Sequence, residues 1–230
     1  MKQVVRSDYK DYLLQEWEQF VSDPSRARAA LEATNTVDIK RVLDVGCGAG
    51  QELLPFIIEK GAIGFGVDIV PTAGGVGREK LAEHAPAARV HFLCGSAEDL
   101  SFSDGVFDAV ICRLALPYTD NTRALAEAAR VLRRGGRYLL KIHGVRFYVA
   151  LLTQALKSRN LMTALYACRV LIAGSIYHLS RRQPRTRIPS SETFQSKWLL
   201  RHELKRHGLT IHSEATDSNP LTPSFVIVKN

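Results

Sequence analysis

A chain of 230 residues that is 46% hydrophobic is long enough for one α/β domain with a full core and a modest insertion, and it needs no second core. Its formal net charge of +8 points to an anionic partner or surface. Cys47, Cys94, Cys112 and Cys168 form no close pair, which argues against a disulfide framework, a zinc site or any other metal site and fits a reducing cytoplasm.

Asp8, Lys10, Asp11, Glu16 and Glu18 would interrupt a signal-peptide core, and no internal repeat is present. Tyr9, Tyr12, Leu13, Trp17, Phe20 and Val21 recur at helical intervals. They predict an amphipathic helix ending before Asp23-Pro24-Ser25, within an N-terminal helical segment of residues 1–33. Residues 41–45 read as a β-branched strand, Gly46, Gly48 and Gly50 as a tight turn, and residues 51–60 as a helix. Glycine lets the backbone take left-handed dihedrals and lie against a ligand. Asp68 ends a second strand-like run, 62–67, and its carboxylate suits both hydroxyls of a ribose. A dinucleotide fingerprint needs a further glycine where this chain has Gln51, which disfavours NAD and a dehydrogenase. Asp44, just before the turn, would repel a pyrophosphate and attract a ligand bearing an ammonium and a sulfonium.

The run Asp44-Val45-Gly46-Cys47-Gly48-Ala49-Gly50, with Asp68, resembles the first two motifs of the class I S-adenosylmethionine-dependent methyltransferases. The resemblance extends from about residue 41 to 142. It implies a Rossmann-like, doubly wound α/β fold with a seven-stranded, mostly parallel sheet of order 3-2-1-4-5-7-6 and one antiparallel strand. It also implies S-adenosyl-L-methionine as cofactor and S-adenosyl-L-homocysteine as product, held by Asp44, Gly46, Cys47, Gly48, Gly50, Asp68 and Ile69. In the family the N-terminal helix often covers this pocket; packing on the outer face is the alternative.

Further along, Pro71-Thr72-Ala73-Gly74-Gly75-Val76-Gly77 is rich in glycine, each costing a helix about 1 kcal/mol relative to alanine, so the second core helix is expected to start near Arg78. Residues 89–93 read as the third strand. Gly95 to Phe102 resembles the family's adenine-binding segment, with Ser96 where the family usually has Asp, the Ala97 N–H as donor to the ring, and Glu98 as a further candidate. Residues 106–112 form the fourth strand, 121–133 a helix, and Gly135-Gly136 a turn into a fifth strand reaching Lys141. By resemblance, Arg113, Leu114 and Ala115 lie beside the methionine part of the cofactor, completing a core of residues 41–143.

The largest departure from a minimal core is 144–190, expected to be a helical lid, with two apolar helical segments broken around 157–160. The second, 161–179, is long enough to raise a membrane span, but Arg169, Gly174 and His178 weigh against it. Burial against the core and contact with a membrane surface are the remaining readings. Residues 180–187 form a basic loop, 191–207 the last helix, and 209–212 and 224–228 two closing strands. Residues 141–206 hold thirteen Lys and Arg against two acids, a net of +11, so the remainder of the chain sums to −3. RNA methylation on that basic face is an alternative, and a non-catalytic cofactor-binding protein is another. An apolar lid and the lack of any base-methylation signature favour a small-molecule or lipid-like acceptor; the oligomeric state stays open. Candidate bases facing the expected pocket are His143, at the end of the fifth strand, with Tyr118 and Tyr148.

Overall fold

The computed structural model describes residues 4–184 and 192–230, with side chains in the first helix described from Tyr9 onward. Seven strands form one sheet in the order β3-β2-β1-β4-β5-β7-β6. They are β1 (Arg41–Val45), β2 (Ile63–Asp68), β3 (Val90–Cys94), β4 (Phe107–Arg113), β5 (Leu132–Lys141), β6 (Leu209–Glu214) and β7 (Ser224–Lys229). Only β7 runs against its neighbours, as the sequence predicted.

Strand alternation sends successive side chains to opposite faces, and both faces are covered. Val42, Ala109 and Ile111 pack under α1 (Val4–Ser22), α3 (Leu54–Lys60) and α4 (Ala73–His84). Leu43, Val110, Cys112 and Leu140 face α5 (Asn121–Val131) and α8 (Lys197–Arg206). A short helix, α2 (Ser25–Ala33), follows α1 after the break at Asp23-Pro24, within the segment 1–33 that the sequence marks as helical.

The second core helix starts at Ala73, not near Arg78. Its glycines are there for close approach: a Cβ at Gly77 would lie 2.5 Å from the Phe92 ring and 2.8 Å from the Ala49 carbonyl oxygen. Packing of α4 against β3 and the β1 turn offsets the local helical cost, which periodicity alone cannot register. Another boundary also moved. α5 ends at Val131 and β5 begins at once, its pairing to β4 jumping from Phe107–Leu132 to Ala109–Arg137 around Gly135, at φ +72°. The extra residues bulge out of the ladder.

Between β5 and β7 lies an antiparallel pair, α6 (Val145–Lys157) and α7 (Leu161–Ser180), with Asn160 capping α7 by accepting the Thr163 N–H at 3.0 Å. The basic Arg185 and Arg187 and the predicted helix start at Ser191 lie outside the described residues. The last helix begins only at Lys197, capped by Ser196. Before it, residues 192–195 run extended and buried, because the Thr193 N–H donates to Pro117 O and the Gln195 N–H to His143 O. That strip of chain crosses the ends of β4 and β5.

Candidate active site

After β1 the chain reverses from strand to helix within a few residues, with Gly46, Gly48 and Gly50 at φ +72°, +52° and +75°. A Cβ at Gly46 would sit 2.3 Å from Ala115 Cβ, so the turn lies directly on the residues that follow β4. The Gly46 and Cys47 N–H groups both donate to Val67 O, at 2.8 and 3.1 Å. Asp68 accepts from the Gly48 N–H through Oδ2 and from the Val70 N–H through Oδ1, each at 2.9 Å. Each carboxylate oxygen retains a lone pair for a further donor. Ile69 is exposed at the rim, and the Cys47 thiol is buried and pushed well above its usual pKa by that burial.

Helix α1 closes over this turn. Leu13 is buried, and a Cβ at Gly48 would lie 3.0 Å from its Cδ2. Tyr9 is drawn to Asp68, and burial with that carboxylate raises its phenol above the ordinary range.

Asp44 is only 2% exposed, and its Oδ2 has no hydrogen-bond partner. Gln51 Oε1 and Glu52 Oε2, just past the turn, are buried and unpartnered as well. Burial, together with the Glu52 carboxylate, pushes the Asp44 carboxyl well above the usual range, and Arg113 offsets only part of this. Three buried acceptors without donors are costly in isolation. They suit a ligand that brings N–H donors and positive charge.

Arg113 does not take the place expected for it beside the methionine group. It shares the sheet face of Ile111, and its guanidinium is committed to Asp217 (Nη2 to Oδ2, 2.8 Å) and Glu52 (Nε to Oε1, 2.9 Å). Arg26 reaches Glu52 from α2, and Lys141 donates to Asp217 Oδ2 at 2.9 Å, which completes a buried ion network. Glu98 is likewise corrected: its Oε1 accepts the Asp120 N–H at 2.8 Å and its Oε2 pairs with Arg123, so it ties the start of α5. Ser96 Oγ accepts the Glu98 N–H at 3.2 Å within its own turn, with Ala97 half-buried beside it. Leu114 takes a left-handed φ of +63°, a strained conformation for a side-chain-bearing residue, and its N–H donates to Lys141 O at 2.9 Å. That kink sets Ala115 against Gly46.

On the other side of Ala115 the three predicted bases come together. His143 is buried, stacks on Phe147 with ring centroids 4.1 Å apart, and has Tyr118 and Tyr148 edge-on at 6.4 and 5.8 Å. Burial lowers its pKa to about 4, so the imidazole is neutral at neutral pH. Tyr148 donates to Glu192 Oε1 at 2.6 Å, and its oxygen lies 3.4 Å from His143 Nδ1. Tyr166 donates to Glu192 Oε2. Tyr118 is half exposed, and partial burial with the Glu192 carboxylate pushes its phenol up to about 12. Glu192 and Tyr166 escaped the sequence reading. One signal was available: Glu192 is the first acid after Glu127, alone in a long cationic stretch.

Residues 43–140 match the family model described as a methyltransferase domain. The chain is 38% identical over 107 residues to the uncharacterized methyltransferase YcgJ of Bacillus subtilis, covering 45% of this chain and 40% of that protein. It is 34% identical over 128 residues to the ubiquinone/menaquinone biosynthesis C-methyltransferase UbiE of Vibrio cholerae, covering 54% and 45%. The matched region thus spans less than half the length of either relative. Among solved structures, the magnesium protoporphyrin IX methyltransferase of Synechocystis with bound S-adenosylhomocysteine shares the fold over all of both chains, with a TM-score of 0.65 at 17% identity. The unpartnered acceptors Asp44, Gln51 and Glu52 fit the ammonium and sulfonium charges of S-adenosylmethionine, the cofactor that the motifs imply. Motif, domain match and strand order converge: residues 43–140 match a methyltransferase domain, and the chain has the fold and motifs that resemble the class I S-adenosylmethionine-dependent methyltransferases.

Proposed function

We propose that this protein transfers the methyl group of S-adenosylmethionine to a small, lipid-like acceptor bearing a protonated nucleophilic atom. The observation that carries the reading is the cluster of His143, Tyr118, Tyr148 and Tyr166 around the single carboxylate of Glu192, where the ends of β4 and β5 meet the α6–α7 pair. It is an aromatic setting with few polar handles, the usual makeup of a small-molecule site. The quinone-biosynthesis relative supports the same class. A cytoplasmic location belongs to the proposal and rests on four free cysteines.

When bound, S-adenosylmethionine supplies an electrophilic methyl group on a sulfonium. Asp44, Gln51 and Glu52 would hold its ammonium end, Asp68 its ribose hydroxyls, and Ser96 and Ala97 the adenine edge. Leu13 and Tyr9 exclude water above the glycine turn. On the acceptor side, Tyr148 spends its single proton on Glu192, so its oxygen can only accept from His143 Nδ1. That selects the Nδ1–H tautomer and leaves Nε2 to take the acceptor's proton. Glu192 is a positioning residue in this scheme.

Two measurements test the reading. Labelled methyl cofactor supplied to a cell extract divided into RNA, protein, lipid and small-molecule fractions is expected to mark the lipid or small-molecule fraction; label in RNA overturns the acceptor assignment. Asp44→Asn is expected to weaken S-adenosylmethionine binding at least tenfold by calorimetry, on the order of the 1.5–3 kcal/mol of a charge-assisted bond. The variant should unfold at a temperature no lower than the parent. A carboxyl raised in the folded state contributes stability at low pH and loses it as pH rises through its folded value, a loss Asn does not suffer.

A further inference from the structure

Among the described residues, nothing covers the outward apolar face of α7 or the exposed apolar side chains of α6 beside it. Along α7, Leu161, Leu165, Ile172, Ile176 and Leu179 recur at helical spacing and are between 47% and 88% exposed. On α6, Val149 and Leu156 are exposed at 49% and 64%. Soluble proteins rarely leave so much contiguous helix surface apolar without a use for it.

The surrounding charge selects the partner. From Ala128 to Ser191 the chain has no acidic residue, while Arg146, Lys157, Arg159, Arg181 and Arg182 punctuate the two helices and their ends, each exposed. A second copy of the same face would set cation against cation. An anionic lipid surface satisfies both features at once, with apolar side chains entering the acyl boundary and Lys and Arg heads reaching phosphates. Trp198, 54% exposed with Arg181 stacked over its ring at 5.6 Å, has the amphipathic form favoured at such a boundary.

α7 has the length and mean hydropathy of a membrane span. Its opposite face, however, packs Ala164, Ala167, Val170 and Tyr177 inside the protein, and Gly174 lies so close to Phe194 that a Cβ would fall 2.2 Å from its ring. A helix half-committed to the protein in this way lies on a bilayer instead of crossing it. We propose that the α6–α7 pair docks the protein, side-on, to an anionic membrane surface. The inner faces of the same helices carry Tyr148 and Tyr166, so docking would set the acceptor side toward the lipid; that corollary alone rests on the proposed function.

The full chain should be sedimented with vesicles of phosphatidylcholine containing phosphatidylglycerol, and with phosphatidylcholine alone. Binding is expected to be at least tenfold tighter to the anionic vesicles and to weaken with salt. Trp17 is buried, so a blue shift in tryptophan emission would report Trp198. Leu165→Glu with Ile172→Glu should reduce vesicle binding at least tenfold, with S-adenosylmethionine affinity and melting temperature unchanged. Lys157→Gln with Arg159→Gln should lower binding and flatten its salt dependence. The proposal is overturned by absence of sedimentation with anionic vesicles at low salt, by equal binding of the Glu variant, or by a dimer that the Glu variant dissociates while vesicles stay unbound. None of these readouts requires turnover, so they stand apart from the acceptor assignment.

Discussion

Replacing Arg113 with Met will cost about 3–5 kcal/mol of folding stability, the range seen when one partner of a buried ion pair is removed and the other charge stays behind. Two carboxylates are stranded here. Asp217 and Glu52 have side chains only 8% and 4% exposed, and Arg113 reaches both. Burial by itself would push the Asp217 carboxyl up, but Arg113 and Lys141 outweigh it and hold the group at about 2. An acid with a depressed folded pKa contributes stability above its unfolded value and loses it as pH falls toward the folded one. The parent and the Met variant should therefore differ most above the ordinary carboxylate range and converge in stronger acid. Denaturant unfolding from neutral pH downward measures this. Because Glu52 and Asp44 belong to the same electrostatic cluster, cofactor affinity should fall as well. Unchanged stability at neutral pH would mean that Lys141 and Arg26 suffice to neutralise the cluster.

His143→Ala is expected to lower the methyl-transfer rate by about 10²-fold, within the range for loss of a general base, while leaving S-adenosylmethionine affinity intact. Single-turnover kinetics with the acceptor found by labelling separates the two. The pH profile carries more information than the magnitude. With the imidazole lowered to about 4 by burial, the base is neutral above that value, so the acid limb of kcat/KM should fall near 4 and not near the 6.5 of a free histidine. That limb should vanish in the Ala variant. Glu192→Gln, which removes the charged acceptor of both tyrosine hydroxyls and sets one of them against an amide N–H donor, should slow transfer less and be mimicked in part by Tyr148→Phe. If His143→Ala transfers methyl at the parental rate, the proton leaves by another route.

The parts of this protein legible along the chain are those that local chemistry dictates. Asp44, the three glycines and Asp68 lie within 25 consecutive residues; the glycine spacing disfavours a dinucleotide, and the charge of Asp44 points to a cationic ligand. The sheet order was legible only through the family resemblance that these motifs carry, and the structure has that order. The closing helix was misjudged at its start because residues 192–195 make their hydrogen bonds to Pro117 and His143, in elements far away in sequence. The late start assigned to α4 failed for the same reason, since the glycine penalty is local and the compensating contact with Phe92 is not.

By itself, then, the sequence pointed to the fold class and the cofactor through the resemblance its motifs carry, and to the place where the chain departs from a bare core, because motifs and periodicity are properties of neighbouring residues. Only the tertiary structure decided that Arg113 serves an ion network with Arg26, Glu52, Lys141 and Asp217 instead of contacting the cofactor. It alone brought Glu192 to Tyr148 and Tyr166, and it alone left one face of α7 bare. Each of those outcomes depends on which face of an element is turned inward and on what the fold lays against it. Such information arises when distant segments pack, and no window along the chain contains it.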